Sequence, residues 1–181
     1  MPLRGTAVVL VLILGGMLVA GCDTGSERAS NYQRLVGPWT PERLHVSGVD
    51  VTGQLDERYG DTENIQIEFD GGGEEPGSYR LIGVRPSDTL QVSGQVSVPQ
   101  ANLLVMQGGF GQPVSWTFRF VEDFSNSVEF RLPNTRAAGS RAFLEALLPG
   151  RGWGEAQRVR LDLLRDHSPD EGANANFSQD G

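Results

Sequence analysis

Few residues in this chain could do chemistry. Hydrolysis through an activated nucleophile needs a base beside a hydroxyl or thiol, and the only histidines are His45 and His167. His45 stands between Leu44 and Val46 in a run that alternates, which turns its ring toward solvent. No Gly-x-Ser-x-Gly elbow is present. A zinc site needs three or four Cys, His or carboxylate ligands, and one Cys in 181 residues excludes the common structural forms. Carboxylates do crowd together: Asp56, Glu57, Asp61 and Glu63 in one stretch, and Asp70, Glu74 and Glu75 in the next. Hard oxygen ligands at that density suit Ca²⁺, yet the spacing matches no Ca²⁺ loop, and acidic loops on an acidic chain are ordinarily solvated. The glycine clusters lack the strand-to-helix setting of a phosphate cradle and read as turns. The expectation is therefore no catalytic residue, no metal site and no cofactor.

The remaining reactive group is the thiol of Cys22. Before it come a cationic start with Arg4, the apolar run Ala7–Leu14, Gly15-Gly16 and a second apolar patch over 17–20. This stretch is short for a bilayer span, which takes about 20 apolar residues. Small side chains then precede the Cys, as at a processing site. Leu18-Val19-Ala20-Gly21-Cys22 resembles the lipobox of bacterial lipoproteins. The resemblance implies that residues 1–21 are an export signal, that the Cys22 thiolate takes a diacylglycerol group, and that cleavage leaves Cys22 as the lipid-bearing amino terminus. Two or three acyl chains, each buried CH₂ contributing roughly 0.8 kcal/mol, make such attachment stable. The expected partner is a membrane, reached through acyl chains on Cys22. The expected address is the extracytoplasmic face of the bacterial cell envelope, with inner and outer membrane both open.

Charge narrows the partners. All 15 basic residues are Arg, against 23 acidic ones, and without Arg4 the balance is 14 to 23, a net of −9. The arginines are scattered in sequence, so nucleic acid is not an expected partner, and an anionic lipid surface would repel the domain. With a single Cys there is no internal disulfide, and stability must come from packing.

Those residues must be positioned by elements whose dominant period is two. Residues 64–70 place Ile65, Ile67 and Phe69 on one face. Leu90, Val92, Val96 and Val98 repeat the pattern, with Gly94 marking a bend or bulge. Val114, Trp116, Phe118 and Phe120 do so again, followed by Val128, Phe130 and Leu132 and by Val159, Leu161 and Leu163. Residues 43–51, 78–84 and 101–107 are less regular strands. Ser140–Leu148 carries Phe143, Leu144, Leu147 and Leu148 at helical spacing and ends at Pro149-Gly150. The fold class is mainly β, with about eight antiparallel strands and one short helix before the last. Polar residues 22–35 read as the lipidated Cys and a flexible tether, 36–166 as a β-barrel domain, and 167–181 as a disordered tail.

Eight such strands behind Leu35-Val-Gly-Pro-Trp39 resemble the lipocalin-like domains of bacterial surface lipoproteins, an up-and-down barrel. In that family a Gly-x-Trp motif opens the first strand, the Trp plugs the closed end, and an Arg from the last strand lies across its indole. Gly37 and Trp39 match the motif, and the resemblance implies Trp39 and Arg160 as the barrel-closing pair, with Arg165 the other candidate. Pro38 and Pro41 depart from the pattern and would delay the first strand or leave it at an edge.

Trp116, Phe118, Phe120 and Phe130 share an inward face, with Tyr79 opposite. In a barrel wide enough for a cavity they line a site for a small apolar ligand; in a filled barrel they are the core. The leading reading is thus a membrane-anchored, non-enzymatic barrel holding such a ligand. The alternative is a protein-interaction or structural module of an envelope assembly, docking by a strand edge or the Phe143–Leu148 helix.

Overall fold

Strict alternation of inward apolar and outward polar side chains closes this chain on itself. The computed structural model describes residues 24–71, 75–121, 126–133, 135–153 and 157–165. A helix α1 (Thr24–Leu35) leads into β1 (Gly37–Val46), β2 (Val49–Asp50), α2 (Thr52–Tyr59), β3 (Ile65–Asp70), β4 (Gly77–Val84), β5 (Thr89–Gln100), β6 (Leu103–Gln107), β7 (Val114–Phe120), β8 (Ser127–Leu132), α3 (Ala138–Leu147) and β9 (Val159–Arg165). All the strand pairings are antiparallel. β1 and β3 to β9 follow one another in order, and β9 pairs back on β1 from Trp39↔Arg165 to Val46↔Val159. The result is a closed eight-stranded up-and-down barrel with a helix before its last stave, the architecture the periodicity implies. β2 is no stave; it folds back on β1 through a two-residue turn at Ser47 and Gly48, both at positive φ, as a tight hairpin needs.

Both ends of the barrel are stoppered. Strand directions put α1 and the 70–77, 100–103 and 120–127 connections at one end, here the base. The rim carries α2, the 84–89 and 107–114 connections, and α3. At the base Tyr32, Leu35 and Trp39 are buried; at the rim Leu55 and Tyr59 of α2, Phe110, Trp153 and Phe143, Leu144 and Leu147 of α3 are buried. The inward side chains of all eight staves join them in one continuous core.

Three expectations are corrected. Residues 24–35, expected to be a flexible tether, form α1. The helix spends its polar side chains on the barrel: Arg28 donates to the Pro99 carbonyl (3.0 Å), Asn31 to that of Ala101 (2.8 Å), and the Tyr32 hydroxyl to that of Asp70 (3.1 Å). Glu27 in the first turn and Arg34 in the last complement the helix dipole. Pro38 and Pro41 do not delay the first strand, which begins at Gly37 and is hydrogen-bonded on both sides. Pro41, lacking an N–H, sits where the β1–β9 register shifts, the bulge a strand proline requires. Gly94 is not a bulge either, since its pairing with Tyr79 is regular and the shift in β5 falls between Ser97 and Gln100. Its missing side chain makes room for the Gln107 carbonyl of β6, with which a Cβ would collide. The export signal 1–21, Cys22 and the tail 167–181 lie outside the described residues.

Candidate functional site

Inside the barrel the aromatic set packs against itself. Trp116 meets Phe130 edge to face (centroids 5.9 Å), Phe118 stacks on Phe130 (5.8 Å) and meets Phe120 edge to face (5.8 Å). Phe143 of α3 reaches down to Trp116 (5.0 Å) and also touches Phe110 (5.2 Å), which stacks on Tyr79 (6.3 Å). The Tyr79 hydroxyl donates to the Gly108 carbonyl (2.6 Å), and burial pushes its pKa up to about 12. Tyr79, Trp116, Phe118 and Phe130 are all buried and Phe120 is half-buried. The space left among Ile67, Phe69, Met106, Trp116, Phe130, Phe143, Leu161 and Leu163 is about 10 Å³, room for about one water-sized sphere. The five residues expected to line a ligand site are therefore brought together, but as mutually packed core.

At the base, Trp39 is fully buried, its indole N–H donates to the Leu35 carbonyl (2.7 Å), and a guanidinium lies over its ring. That guanidinium belongs to Arg165, 4.7 Å from the ring centroid, and not to Arg160. The reason is register and parity together. Arg165 lies directly opposite Trp39, whereas Arg160 is paired with His45 near the other end. Along β9 the buried residues are 159, 161 and 163, so 165 continues the inward row while 160 points out. Arg165 also donates to the carbonyls of Val36 (3.0 Å) and Arg34, tying the end of α1 to the last stave.

The outer faces of β7, β8, β9 and β1 carry a patch of charged side chains. Cross-strand registry sets Glu129 of β8 beside Asp162 of β9 and Arg119 of β7 beside Glu129. One step toward the rim it aligns Thr117, Arg131, Arg160 and His45 across β7, β8, β9 and β1. Glu129 is only 5% exposed, and both Arg119 (3.0 Å) and Arg131 pair with it. Burial alone would raise its pKa, but hydrogen bonds and charge from Arg131 and Arg119 prevail and hold it below the usual carboxylate range. Asp162, beside it, goes the other way. Burial and repulsion by Glu129 and Glu42 raise its pKa against the attraction of Arg160 (3.2 Å) and His45 (3.9 Å).

Two clefts open near the rim. The larger, about 890 Å³, runs between α2, the 85–88 turn and the 148–151 turn, and brings Arg58, Arg85 and Arg151 together with Glu57 and Asp88. Arg85 is held by Asp88 (3.0 Å) and the Ala146 carbonyl (3.2 Å), and lies 5.3 Å from the Tyr59 ring centre. The second, about 500 Å³, is on the outer wall; its lining includes His45, Arg131, Arg158 and Arg160. Neither cleft was visible in the sequence, where their residues are far apart. His45 does face outward as the alternation implies, but it is 19% exposed, beside Asp162, and not free in solvent. The acidic residues 56–63 are not one loop, since Asp56 and Glu57 lie in α2, while Asp61 accepts from the Glu63 N–H (3.0 Å) and Asp70 from the Gly71 N–H (2.7 Å) in local turns. Among the described residues no three His, Cys or carboxylate groups gather as a metal would require.

No family model and no curated protein matches this sequence. Among solved structures, the chain is similar to a bovine odorant-binding protein, a deswapped triple mutant, with 7% identity, a TM-score of 0.38, and coverage of 75% of this chain and 76% of that one. It is also similar to the odorant-binding protein OBP1, with 11% identity, a TM-score of 0.39, and coverage of 77% and 78%. These are distant likenesses, and the closed eight-stranded up-and-down barrel stands on this chain's own strand pairings.

Proposed function

We propose that this chain is a lipid-anchored, non-enzymatic barrel domain of the bacterial cell envelope whose working surface is its exterior. The observation that carries the reading is the filled interior: about 10 Å³ of free space, where small-molecule sites take roughly 300–1,000 Å³. The groups that the fold brings together are arginines with carboxylates and aromatics with aromatics, pairings that hold structure and bind charge. The anchor rests on the lipobox at Leu18–Cys22. α1 supports it: the helix begins two residues after Cys22 and is docked on the barrel base, so acyl chains on Cys22 would hold that end near the bilayer. Metabolic labelling with a fatty-acid analogue tests it. The wild-type chain takes label and sediments with membranes, while Cys22→Ser gives an unlabelled, uncut precursor; a mature, unlabelled, soluble wild type would overturn it.

A second reading, a small apolar ligand inside the barrel, is favoured by one feature: the residual space is lined by apolar side chains alone. It requires Phe143 and Phe110 to swing away. Native mass spectrometry of the chain released from detergent separates the two. The first reading expects the bare lipidated mass, the second an added small molecule.

A further inference from the structure

The outer-wall cleft is an island of positive charge on a chain with net charge −8. Three of the residues around it, His45, Arg160 and Arg131, are direct neighbours on three adjacent strands. Groups directly opposite on antiparallel strands stand about 5 Å apart, and the like charges of Arg131 and Arg160 so placed are destabilising. Glu129 and Asp162, in the next outward row, relieve part of this for Arg131 and Arg160. The exposed Arg131 and Arg158 side chains line the cleft. Arg158, exposed at its edge, has no side-chain partner among the described residues. Buried His45 Nε2 has no hydrogen-bond partner, and Arg160 Nε approaches Asp162 at 3.2 Å without the alignment of a hydrogen bond. Among the described residues no carboxylate lines the cleft, and the exposed ring of Pro133 supplies an apolar wall. The larger rim cleft differs in this respect, because Glu57 and Asp88 stand in its lining among the three arginines.

We propose that the cleft of His45, Arg131, Arg158 and Arg160 binds a phosphate-type oxyanion carried on a small organic body. Guanidinium groups match oxyanion geometry with paired N–H donors, and a bound anion would remove the like-charge cost of the row. The volume of about 500 Å³ fits a phosphate monoester rather than a bare ion alone. The cleft lies at the end of β1 away from Trp39 and α1, so a soluble ester is the expected source and a lipid headgroup the other. The inference is independent of the lipid anchor and of what the barrel interior holds.

Calorimetric titration of the full chain in non-ionic detergent with inorganic phosphate and with phenyl phosphate tests it. Saturable binding is expected, tighter for phenyl phosphate and weakened by salt. Arg158→Ala, which removes no internal contact, should weaken binding about tenfold, while Arg151→Ala at the rim cleft should leave it unchanged. Arg131→Gln should act like Arg158→Ala, with its melting curve confirming that the fold is kept. Sedimentation with vesicles of phosphatidylcholine, with and without phosphatidic acid, separates the sources. Retention on phosphatidic acid that is lost in Arg158→Ala would assign a headgroup, and phenyl phosphate binding without such retention a soluble ester. No binding of either phosphate and no Arg158-dependent retention would overturn the proposal. So would binding that Arg158→Ala leaves intact.

Discussion

Whether the barrel is filled or hollow can be decided at Phe143. Its side chain is 1% exposed, meets Trp116 and Phe110 edge to face, and forms part of the wall of the small interior void. Truncating a buried Phe to Ala costs about 3–5 kcal/mol. Two lost edge-to-face contacts, each contributing about 0.5–1.5 kcal/mol beyond area, put Phe143→Ala in the upper half of that range. For a domain of this size each kcal/mol moves the melting temperature by about 4 °C, so a fall of about 15 °C is expected. The missing ring would enlarge the void toward the ~150 Å³ at which an apolar cavity stays dry and accepts benzene. Melting followed by circular dichroism, in plain and in benzene-saturated buffer, reads both effects. The wild type should be unmoved by benzene, and Phe143→Ala should regain several degrees. Phe143→Leu, a milder truncation, covers the case in which the alanine variant fails to fold. A wild type stabilised by benzene, or a Phe143→Ala loss under about 4 °C, would refute the filled barrel.

Arg165→Ala should lower stability by about 2–3 kcal/mol, since it removes a cation–π contact and two charge-assisted hydrogen bonds; Arg160→Ala should cost no more than about 1 kcal/mol, a difference that urea midpoints resolve. The paired carboxylates predict opposite pH behaviour. Glu129 has a depressed pKa, so its stabilisation is present above the ordinary carboxylate range and lost as pH falls through the depressed value. Glu129→Gln should therefore hurt more at pH ~7 than at pH ~3. Asp162 has a raised pKa, so its contribution is full at low pH and lost as pH rises through the raised value. Relative to wild type, Asp162→Asn should fare better at pH ~7 than at pH ~3, and melting curves at the two values check both signs. Gly94→Ala should cost about 1–3 kcal/mol by chemical denaturation, because the clash is with the Gln107 backbone, which cannot rotate away.

Much of the fold was legible because a closed sheet writes its two faces into alternate residues. Ile65, Ile67 and Phe69, or Trp116 and Phe118, could sit on no other side, and α3 announced itself by breaking that period. The helices at the barrel ends were not legible. Among its described side chains α1 buries only Tyr32 and Leu35, and two anchors make no periodic stripe. α2 likewise buries Leu55 and Tyr59 alone. The elements missed are thus the ones that stopper the barrel, which is why the aromatic inner face could be read but its free volume could not. Alternation states which way a side chain points; how much space remains depends on what enters from the ends, here Phe143 and Phe110.

The outer wall makes the same point about distance along the chain. Parity within β9 already set Arg160 outward with Asp162 and placed Arg165 in the inward row, so the alternation itself argued against Arg160 as Trp39's partner. Choosing between them needed the register of β9 against β1, which is fixed by the bulge at Pro41 and by barrel closure. Register equally decides the charged cleft, because His45, Thr117, Arg131 and Arg160 become a row only when four strands are aligned. A scatter of arginines in an acidic sequence thereby becomes a local positive site. The chain's net charge describes its average surface, whereas the pairing of Arg131 with Arg160, with exposed Arg158 beside them, is set by strand register.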